Sequence, residues 1–238
     1  MADEKEEKFD RVMELESRKL AKEVDREFVI ETQKQVEKNN DLIAVGINDR
    51  LKERGIKSFD FVGAIGAGKT ALIERLSEKF GPDHKILVIC GDIATRVDAD
   101  RIQKEFVKAI QINTGRECAL NAYHVDKVLK NVNIDEFDVV FVENVGNLIC
   151  PSEFMLGMDK RITVVSVTEG EWVVEKHPLL FKMSDIAVIN KIDLAERLES
   201  NTEKMVKDAK DINPNIKVVL TSARTGEGVD ELLDLLNT

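Results

Sequence analysis

From Phe59 onward, short apolar runs alternate with segments whose apolar residues recur at helical spacing. The apolar runs carry Val and Ile without polar alternation, which is typical of strands covered on both faces. Alternating strands and helices indicate an α/β fold in which helices flank a doubly wound, mostly parallel sheet. The pattern predicts strands at 58–62, 85–90, 139–143, 162–167, 186–190 and 217–221. It predicts helices at 70–79, 98–109, 202–210 and 228–236.

The N-terminal part of the chain has a different pattern, in which charged residues dominate and apolar residues form only a thin stripe. Opposite charges four residues apart, as at Glu7 and Arg11, favour an exposed helix. Helical patterning continues to Gly55, which is predicted as the C-cap. We therefore divide the chain into a charged helical extension, 1–55, and one α/β domain, 56–238. The first helical segment is interpreted as solvated, with a partner-docking helix as the alternative.

Composition limits the classes of partner. A chain of 238 residues with 43% hydrophobic content can bury one substantial core. The net charge of −10 argues against nucleic acid or an anionic membrane as partner. No apolar run reaches membrane-spanning length and no signal-peptide pattern is present, so a cytoplasmic location is expected. The three cysteines, Cys90, Cys118 and Cys150, are too few for a disulfide framework and are expected to stay reduced.

Residues 63–70 fit the phosphate-binding motif G-x-x-x-x-G-K-[ST]. The motif follows a predicted strand and opens a predicted helix, which is the context that distinguishes a P-loop from a chance glycine-rich turn. We expect backbone N–H groups to surround the phosphates, Lys69 to act catalytically on the β- and γ-phosphates, and Thr70 to bind Mg²⁺. The predicted nucleotide-binding residues of this segment are Gly63, Ala64, Ile65, Gly66, Ala67, Gly68, Lys69, Thr70 and Ala71.

A second motif, Asn190-Lys191-Ile192-Asp193, ends the predicted strand 186–190. The Asp193 carboxylate can accept hydrogen bonds from both N1–H and the exocyclic amine of guanine, and adenine offers no such pair of donors. Asn190 and Lys191 are predicted to support the loop and cover the base. After the next strand, Ser222-Ala223 is predicted to contact the base through its backbone. The motifs together predict binding of GTP and GDP.

Carboxylates at other strand ends are candidates for Mg²⁺ and water. Glu143 ends an apolar strand and is predicted to act in the magnesium shell, together with Asp92. Gly146 would let the following loop approach the γ-phosphate and respond to its loss. Asp98 is the candidate for orienting the attacking water, with a helix N-cap as its alternative role. Since no Gln closely follows Gly146, we predict slow intrinsic turnover.

The cysteines differ in context. Cys90 lies inside an apolar run and is interpreted as a small core residue. Cys118 lies at the start of a predicted helix, 117–132, where a thiolate is favoured. Cys150 follows Glu143 by seven residues, so one thiol is close along the chain to the predicted nucleotide-sensing carboxylate. By spacing alone, two isolated cysteines are more often structural than metal ligands.

The chain from about Phe59 to its C-terminus resembles the HypB family of hydrogenase maturation GTPases, within the SIMIBI class of P-loop GTPases. The run Glu-Asn-Val-Gly-Asn-Leu-Ile-Cys-Pro at 143–151 is specific to that family rather than to GTPases in general. The other matching runs are 91–95, 98–102, 113–118, 175–178 and 190–194. The resemblance implies a homodimer in the GTP state, with Cys118 and Cys150 binding Ni²⁺ or Zn²⁺ at the dimer interface. It also implies two partners, a HypA-like accessory protein and the large subunit of a [NiFe]-hydrogenase.

The chain departs from the family at several points. Ala119 follows Cys118 where the family usually has His, and His124 could substitute only if the chain bends suitably. The N-terminal cysteine motif and His-rich tract of some bacterial members are absent, so nickel storage is not expected. Ala119 keeps open a GTP-dependent interaction switch without metal cargo. A urease-type nickel GTPase is disfavoured by Cys-Pro-Ser in place of Cys-Pro-His, and a small-molecule kinase by the guanine motif.

Overall fold

The computed structural model describes residues 26–81, 83–92, 102–115 and 117–238. The chain divides into two units, Met1–Asn39 and Asn40–Thr238. The described residues of the first unit are helical, and the second unit contains the sheet and all of the candidate site. Among the helices described, none combines the length and the apolar character that a membrane span requires.

Within the described residues, seven strands form one sheet in which every neighbouring pair is parallel. Along the sheet the strands lie in the order β3-β2-β4-β1-β5-β6-β7, so β1 is central and its neighbours are β4 and β5. The parallel arrangement places all C-terminal strand ends at one edge, where ligands bind in folds of this type. The strands are β1 (Lys57–Gly63), β2 (Ile86–Asp92), β3 (Val107–Asn113), β4 (Val139–Glu143), β5 (Lys160–Ser166), β6 (Ile186–Asn190) and β7 (Lys217–Leu220).

Helices connect the strands and cover both faces of the sheet. Short 3₁₀ turns lie at Ile134–Glu136, Cys150–Glu153, Val167–Glu169 and Ile192–Leu194. The α-helices are α1 (Arg26–Lys52), α2 (Lys69–Phe80), α3 (Ala122–Lys130), α4 (Val173–Lys176), α5 (Pro178–Lys182), α6 (Thr202–Ile212) and α7 (Val229–Asn237).

The core forms on both sides of the sheet because the strands alternate their side chains between two apolar layers. On one face, Phe59 and Phe61 of β1 pack against Phe141 of β4, with ring centroids 5.6 and 5.7 Å apart. Helices α2 and α7 close this layer. On the opposite face, the side chains of Val140 and Val142 pack in a cluster with residues of α1 and α3. The rigid layers hold the loops at the strand ends in fixed positions.

Residues at the end of the N-terminal helical segment belong to the second unit's core. Ala44, Ile47 and Leu51 of α1 are buried in the same cluster as the strand residues of β4. The helix ends at Lys52, and Gly55 lies in the following turn with φ of +67°, a conformation that glycine adopts without strain.

Two sequence predictions of secondary structure were wrong. The helix predicted at 98–109 overlaps the segment Val107–Asn113. This segment is the edge strand β3, which pairs with β2 over seven residues. Backbone pairing to β2 outweighs the helical spacing of the apolar residues there. The helix predicted at 117–132 is shorter, because Asn121 caps a helix that begins at Ala122. Cys118 therefore precedes this helix, and the expectation that a helix N-terminus activates its thiol fails.

Candidate nucleotide site and cysteine pair

The predicted P-loop lies between β1 and α2, at the C-terminal edge of the sheet. Gly63 has φ of +151°, and a Cβ atom there would lie 2.1 Å from the Val164 carbonyl oxygen. Gly68 has φ of +104°, and a Cβ atom there would lie 2.2 Å from Nδ2 of Asn190. Glycine is therefore required at both positions, by conformation and by space. The loop connects to the N-terminus of α2, and backbone N–H groups at a helix N-terminus can bind an anion.

The Lys69 and Thr70 side chains form hydrogen bonds to other residues of the candidate site. Lys69 is buried, and its Nζ donates to the carbonyl oxygens of Gly63 and Ala64, each at 3.0 Å. The Thr70 hydroxyl donates to Oε1 of Glu143 at 2.7 Å. Because β4 lies beside β1, its terminal carboxylate reaches the first turn of α2. The structure thus brings the predicted magnesium residues Thr70 and Glu143 together.

Asn190 joins the phosphate loop to the base-recognition loops. Its Nδ2 donates to the Ala67 carbonyl at 2.9 Å. Its Oδ1 accepts from the Thr221 hydroxyl and from the Ala223 backbone N–H, both at 3.1 Å. The side chain is 1% exposed, so these bonds satisfy a buried amide that would otherwise be costly. One side chain therefore fixes three loops relative to one another.

Asp193 is held by the loop that follows β7. The Ser222 hydroxyl donates to Asp193 Oδ1 at 2.6 Å, and Arg224 Nε donates to Oδ2 at 3.1 Å. The hydrogen bond from Ser222, aided by the Arg224 charge, lowers the pKa of the Asp193 carboxyl below its usual range. Lys191 has φ of +62°, and its Nζ lies 3.4 Å from the Thr168 hydroxyl. The arrangement presents a charged carboxylate suited to accept two donors from one base.

The sequence analysis missed Glu169, which caps the turn after β5. Glu169 Oε1 accepts from the Ser166 N–H at 2.8 Å, in a reciprocal capping box. Burial raises the pKa of the Glu169 carboxyl, against the opposing effects of that hydrogen bond and of the charges on Lys191 and Lys69. The carboxyl thus lies within electrostatic reach of both predicted nucleotide-binding lysines. A capping-box pattern, Ser-x-x-Glu, is the signal that would have found it.

The remaining acidic candidates are Asp92 and Asp98. Asp92 ends β2, where its backbone carbonyl accepts from Thr114 N at 2.9 Å. It lies on the same edge of the sheet as Glu143, because β2 and β4 are neighbours. Asp98 lies outside the residues that the structure describes.

Cys118 and Cys150 are brought together from positions 32 residues apart and are joined as a disulfide, with Cα atoms 6.1 Å apart. The expectation that all three cysteines stay reduced is therefore wrong for this pair. The loops that follow β3 and β4, the two strands on either side of β2, meet at the C-terminal edge of the sheet, which places the two sulfur atoms within bonding distance. Cys90 is buried in the core, as its apolar run indicated.

Other metal ligands do not accompany the two cysteines within the described part of the chain, where no group of three or more His, Cys, Asp or Glu is positioned to hold a metal ion. His124 caps its own helix, since its N–H donates to Asn121 Oδ1 and its Nδ1 faces the Asn121 N–H. Its Nε2 lies 3.5 Å from Glu117. Ala119 is buried. Within the described residues, the candidate metal site thus consists of two sulfur atoms, which are joined as a disulfide.

Two further polar residues near the cysteines were given no role by the sequence analysis. Asn144 is 1% exposed, and its Oδ1 accepts from Leu120 N at 2.9 Å. Asn147 Oδ1 accepts from the N–H groups of Ile149 and Cys150, at 2.7 and 3.2 Å. Both lie in the family-specific run at 143–151, but the sequence alone does not say which contacts such asparagines make.

Comparisons with known proteins agree with this geometry. The family profile described as CobW/HypB/UreG, nucleotide-binding domain, matches residues 59–220. A probable hydrogenase maturation factor HypB of Methanocaldococcus jannaschii is 46% identical over 208 residues, which cover 87% of this chain and 94% of that protein. The hydrogenase/urease maturation factor HypB of Helicobacter pylori is 32% identical over 201 residues, covering 83% and 82% of the two chains.

Solved structures extend the likeness to three dimensions. HypB of Archaeoglobus fulgidus has a TM-score of 0.78 and 43% identity, over 84% of this chain and 97% of that chain. HypB of Helicobacter pylori, in complex with nickel, has a TM-score of 0.77 and 32% identity, over 84% and 94%. A LAO/AO transport system kinase, at 20% identity and a TM-score of 0.56, shares the fold. The chain therefore belongs to the CobW/HypB/UreG family of nucleotide-binding proteins, in its HypB branch.

Proposed function

We propose that this protein is a GTP-hydrolysing metallochaperone that delivers nickel during maturation of a [NiFe]-hydrogenase. The observation that supports the proposal is that one chain carries the P-loop, the predicted guanine-recognition loops and the Cys118–Cys150 pair at the same edge of the sheet. The 143–151 segment connects them, since it begins at the carboxylate bound to Thr70 and contains Cys150. The nickel complex of the Helicobacter pylori relative supports nickel as the cargo.

Nucleotide binding follows from the loops at the sheet edge. The P-loop glycines let the loop backbone pass close to Val164 and Asn190 at the N-terminus of α2, and Lys69 supplies a positive charge from a buried position. Asp193 and the Ser222-Ala223 loop select guanine. The oxygen donors Thr70 and Glu143 fit the preference of Mg²⁺ for hard ligands, and Asp92 lies on the same edge. When bound, Mg²⁺ would neutralise charge on the phosphates.

GTP hydrolysis is proposed to be slow, so that its rate sets how long the protein stays in the GTP state. Lys69 stabilises charge on the γ-phosphate, and Asp98 is proposed to orient water. Loss of the γ-phosphate would relax the loop that contains Gly146, where a Cβ atom would lie 2.3 Å from Ile65 of the P-loop. Any rearrangement of that close contact is transmitted along four residues to Cys150. Phosphate state and thiol position are therefore proposed to be coupled.

The metal site requires more ligands than one subunit provides. Cys118 and Cys150, once reduced, offer two thiolates, and two copies of the chain would offer four. Four thiolates suit Zn²⁺ in tetrahedral geometry and Ni²⁺ in square-planar geometry. We propose that GTP favours a homodimer with this shared site, and that a HypA-like protein and the hydrogenase large subunit are the partners. The cysteine disulfide represents a form that must be reduced before metal binds.

The proposal is tested by titrating Ni²⁺ into the reduced protein, loaded either with GDP or with a non-hydrolysable GTP analogue. We expect the two affinities to differ by about 5- to 150-fold, the usual range of coupling between two sites. Equal affinities in the two nucleotide states would contradict the coupling. Ni²⁺ binding that survives Cys118→Ser would contradict the assignment of the site.

The alternative function is a GTP-dependent interaction switch without metal cargo. Ala119 favours it, because the usual histidine of the family is missing beside Cys118. In that case the cysteine pair would be structural, and the reduced protein would show no thiol-dependent metal binding in any nucleotide state.

A further inference from the structure

We propose that Asn144 and Asn147 are the positioning residues of the cysteine pair: each holds one of the two cysteine loops on the segment that follows β4. The inference deepens the proposed function, on which its metal-binding part rests. Neither side chain is a ligand or a nucleotide contact in the account above. Their role is to set the distance between two sulfur atoms that belong to distant parts of the chain.

Asn144 holds the loop of Cys118. Its Oδ1 accepts from the N–H of Leu120, two residues after Cys118, at 2.9 Å, and from its neighbour Val145 at 3.0 Å. Asn144 and Leu120 are both essentially inaccessible to solvent. Water cannot replace the amide oxygen there, so without it a buried N–H loses its acceptor and the loop loses its anchor.

Asn147 holds the loop of Cys150. Its Oδ1 accepts from the N–H of Cys150 at 3.2 Å and from that of Ile149 at 2.7 Å. Its Nδ2 lies 3.5 Å from the Cys150 sulfur, within the range for a hydrogen bond to sulfur. One amide thus fixes both the backbone and the thiol of this cysteine.

The segment that carries the two asparagines is also hydrogen-bonded to the P-loop. Glu143, beside Asn144, accepts from the Thr70 hydroxyl. The backbone N–H of Asn147 donates to the Gly63 carbonyl of the P-loop at 3.0 Å. Five consecutive residues, 143–147, therefore contact the P-loop and both cysteine loops. A shift of this segment would move both thiols together.

A buried ion pair between β1 and β5 also contacts the 143–151 segment and the residues that follow it. Asp60 and Arg161, each about 2% exposed, are paired at 2.9 Å, and Asn144 Nδ2 lies 3.5 Å from Asp60 Oδ1. The Arg161 guanidinium also donates to the carbonyls of Pro151 and Phe154, just after Cys150. The strands β1 and β5 thereby hold the Cys150 loop to the core.

The first test uses no metal. The wild type, Asn144→Ala and Asn147→Ala are equilibrated in glutathione buffers, in which two glutathione thiols reduce the Cys118–Cys150 bond and become one glutathione disulfide. The midpoint ratio of thiol squared to disulfide gives the effective concentration of the two cysteine thiols. We expect it to fall about tenfold or more in both variants, the range seen when residues that orient a site's ligands are removed.

The control is Asn213→Ala. That half-buried amide also joins two carbonyls, those of Phe181 and Ser184, but it lies outside the cysteine loops. In this variant we expect the effective concentration of the two cysteine thiols to stay within about twofold of the wild type, although the variant should lose about as much stability as the other alanine variants. Asn147→Asp keeps an oxygen for both N–H groups and should recover most of the loss. Either alanine variant within twofold of the wild type, or an equal fall in the control, overturns the proposal.

The second test adds Ni²⁺ to the reduced proteins. The positioning role predicts about tenfold weaker Ni²⁺ binding in both alanine variants, and a smaller difference between the GDP and GTP-analogue states than in the wild type. Unchanged Ni²⁺ affinity in the variants contradicts the role. Absence of thiol-dependent Ni²⁺ binding in the wild type would refute the proposed function, and the glutathione result would then decide the positioning role by itself.

Discussion

Asn190 donates a hydrogen bond to the carbonyl of Ala67 at 2.9 Å, so the predicted base-recognition loop is bonded directly to the predicted phosphate-binding loop. The same amide accepts from Ala223, at the start of the last base-contacting loop. Because the side chain is buried, these hydrogen bonds hold the two loops in a fixed relation to each other. A site organised in advance pays less entropy on binding.

Gly68→Ala should damage this arrangement directly. A Cβ atom at Gly68 would lie 2.2 Å from Nδ2 of Asn190, and the backbone has φ of +104°. We expect a loss of about 1–3 kcal/mol in the free energy of unfolding, and nucleotide affinity weakened by at least about tenfold. Urea unfolding and GDP titration measure the two effects.

The matched control is Gly46→Ala, in helix α1. A Cβ atom at Gly46 meets nothing within 4 Å, and the residue has ordinary helical backbone. This variant should be more stable than the wild type by about 0.5–1 kcal/mol, with unchanged GDP affinity. Similar behaviour of the two alanine variants would show that Gly68 has no special constraint.

Asp193→Asn tests base selection. The carboxylate can accept hydrogen bonds from both N1–H and the exocyclic amine of guanine. An amide can accept only one of them, and its NH₂ group would face the second donor; xanthine has a carbonyl oxygen at that position, which can accept from the NH₂ group. We expect GTP affinity to fall by about 100-fold or more and affinity for xanthosine triphosphate to rise. Competition binding with the two nucleotides provides the measurement.

Arg224→Ala controls for loss of the ion pair with Asp193. The Arg224 side chain is 77% exposed, so its salt bridge at 2.9 Å contributes little. GTP affinity should change by less than about fivefold. If Arg224→Ala matched Asp193→Asn, the arginine rather than the carboxylate would be the main determinant.

Glu169 should produce a pH-dependent stability term. Burial raises the pKa of its carboxyl above the ordinary value of about 4.5, so the folded protein retains a proton that the unfolded chain has lost. The free energy of unfolding therefore falls as pH rises from about 4.5 through the folded-state pKa, and is level above it. Glu169→Gln removes this term and keeps the acceptor for Ser166.

Urea unfolding of the wild type and Glu169→Gln across this pH range tests the sign. The stability of the variant relative to the wild type should increase with pH over the window and then level off. Glu171→Gln, whose carboxylate accepts from Asn201 N at the surface, serves as the control. A relative stability of Glu169→Gln that is constant with pH, or that decreases, would contradict the assignment.

The Asp60–Arg161 pair should show strong coupling in stability. Burial raises the pKa of the Asp60 carboxyl, and the Arg161 guanidinium opposes that rise. Either Asp60→Leu or Arg161→Met alone leaves an unpaired buried group and should cost about 3–5 kcal/mol. The double variant replaces both charges by apolar groups and should be more stable than either single variant. Additive losses in a urea double-mutant cycle would rule out this coupling.

The sequence predicted the positions of the loops after β1 and β6 because their motifs are local. Each requires a few adjacent residues at a strand end, and the strands themselves are continuous apolar runs such as 186–190. The edge strand Val107–Asn113 was missed because its mixed polar and apolar residues do not distinguish a strand from a helix. Its pairing with β2 decides the conformation, and that contact is not visible along the chain.

The cysteine region was less predictable for the same reason. Asp60 and Arg161 lie inside apolar strands, and only the β1–β5 pairing shows that they neutralise each other. The helix near Cys118 begins later than its apolar spacing suggests, since Asn121 provides the cap. Long-range contacts, rather than local patterns, fix the relation between the two thiols.

The proposed nickel site is shared between two copies of this chain in the GTP state. Bound Ni²⁺ per chain and molecular mass should be measured for the reduced protein with a GTP analogue, and for Cys118→Ser under the same conditions. We expect a dimer with about half an equivalent of Ni²⁺ per chain, and we expect the variant to lose this Ni²⁺. A monomer with no thiol-dependent Ni²⁺, or equal Ni²⁺ in both proteins, would contradict it.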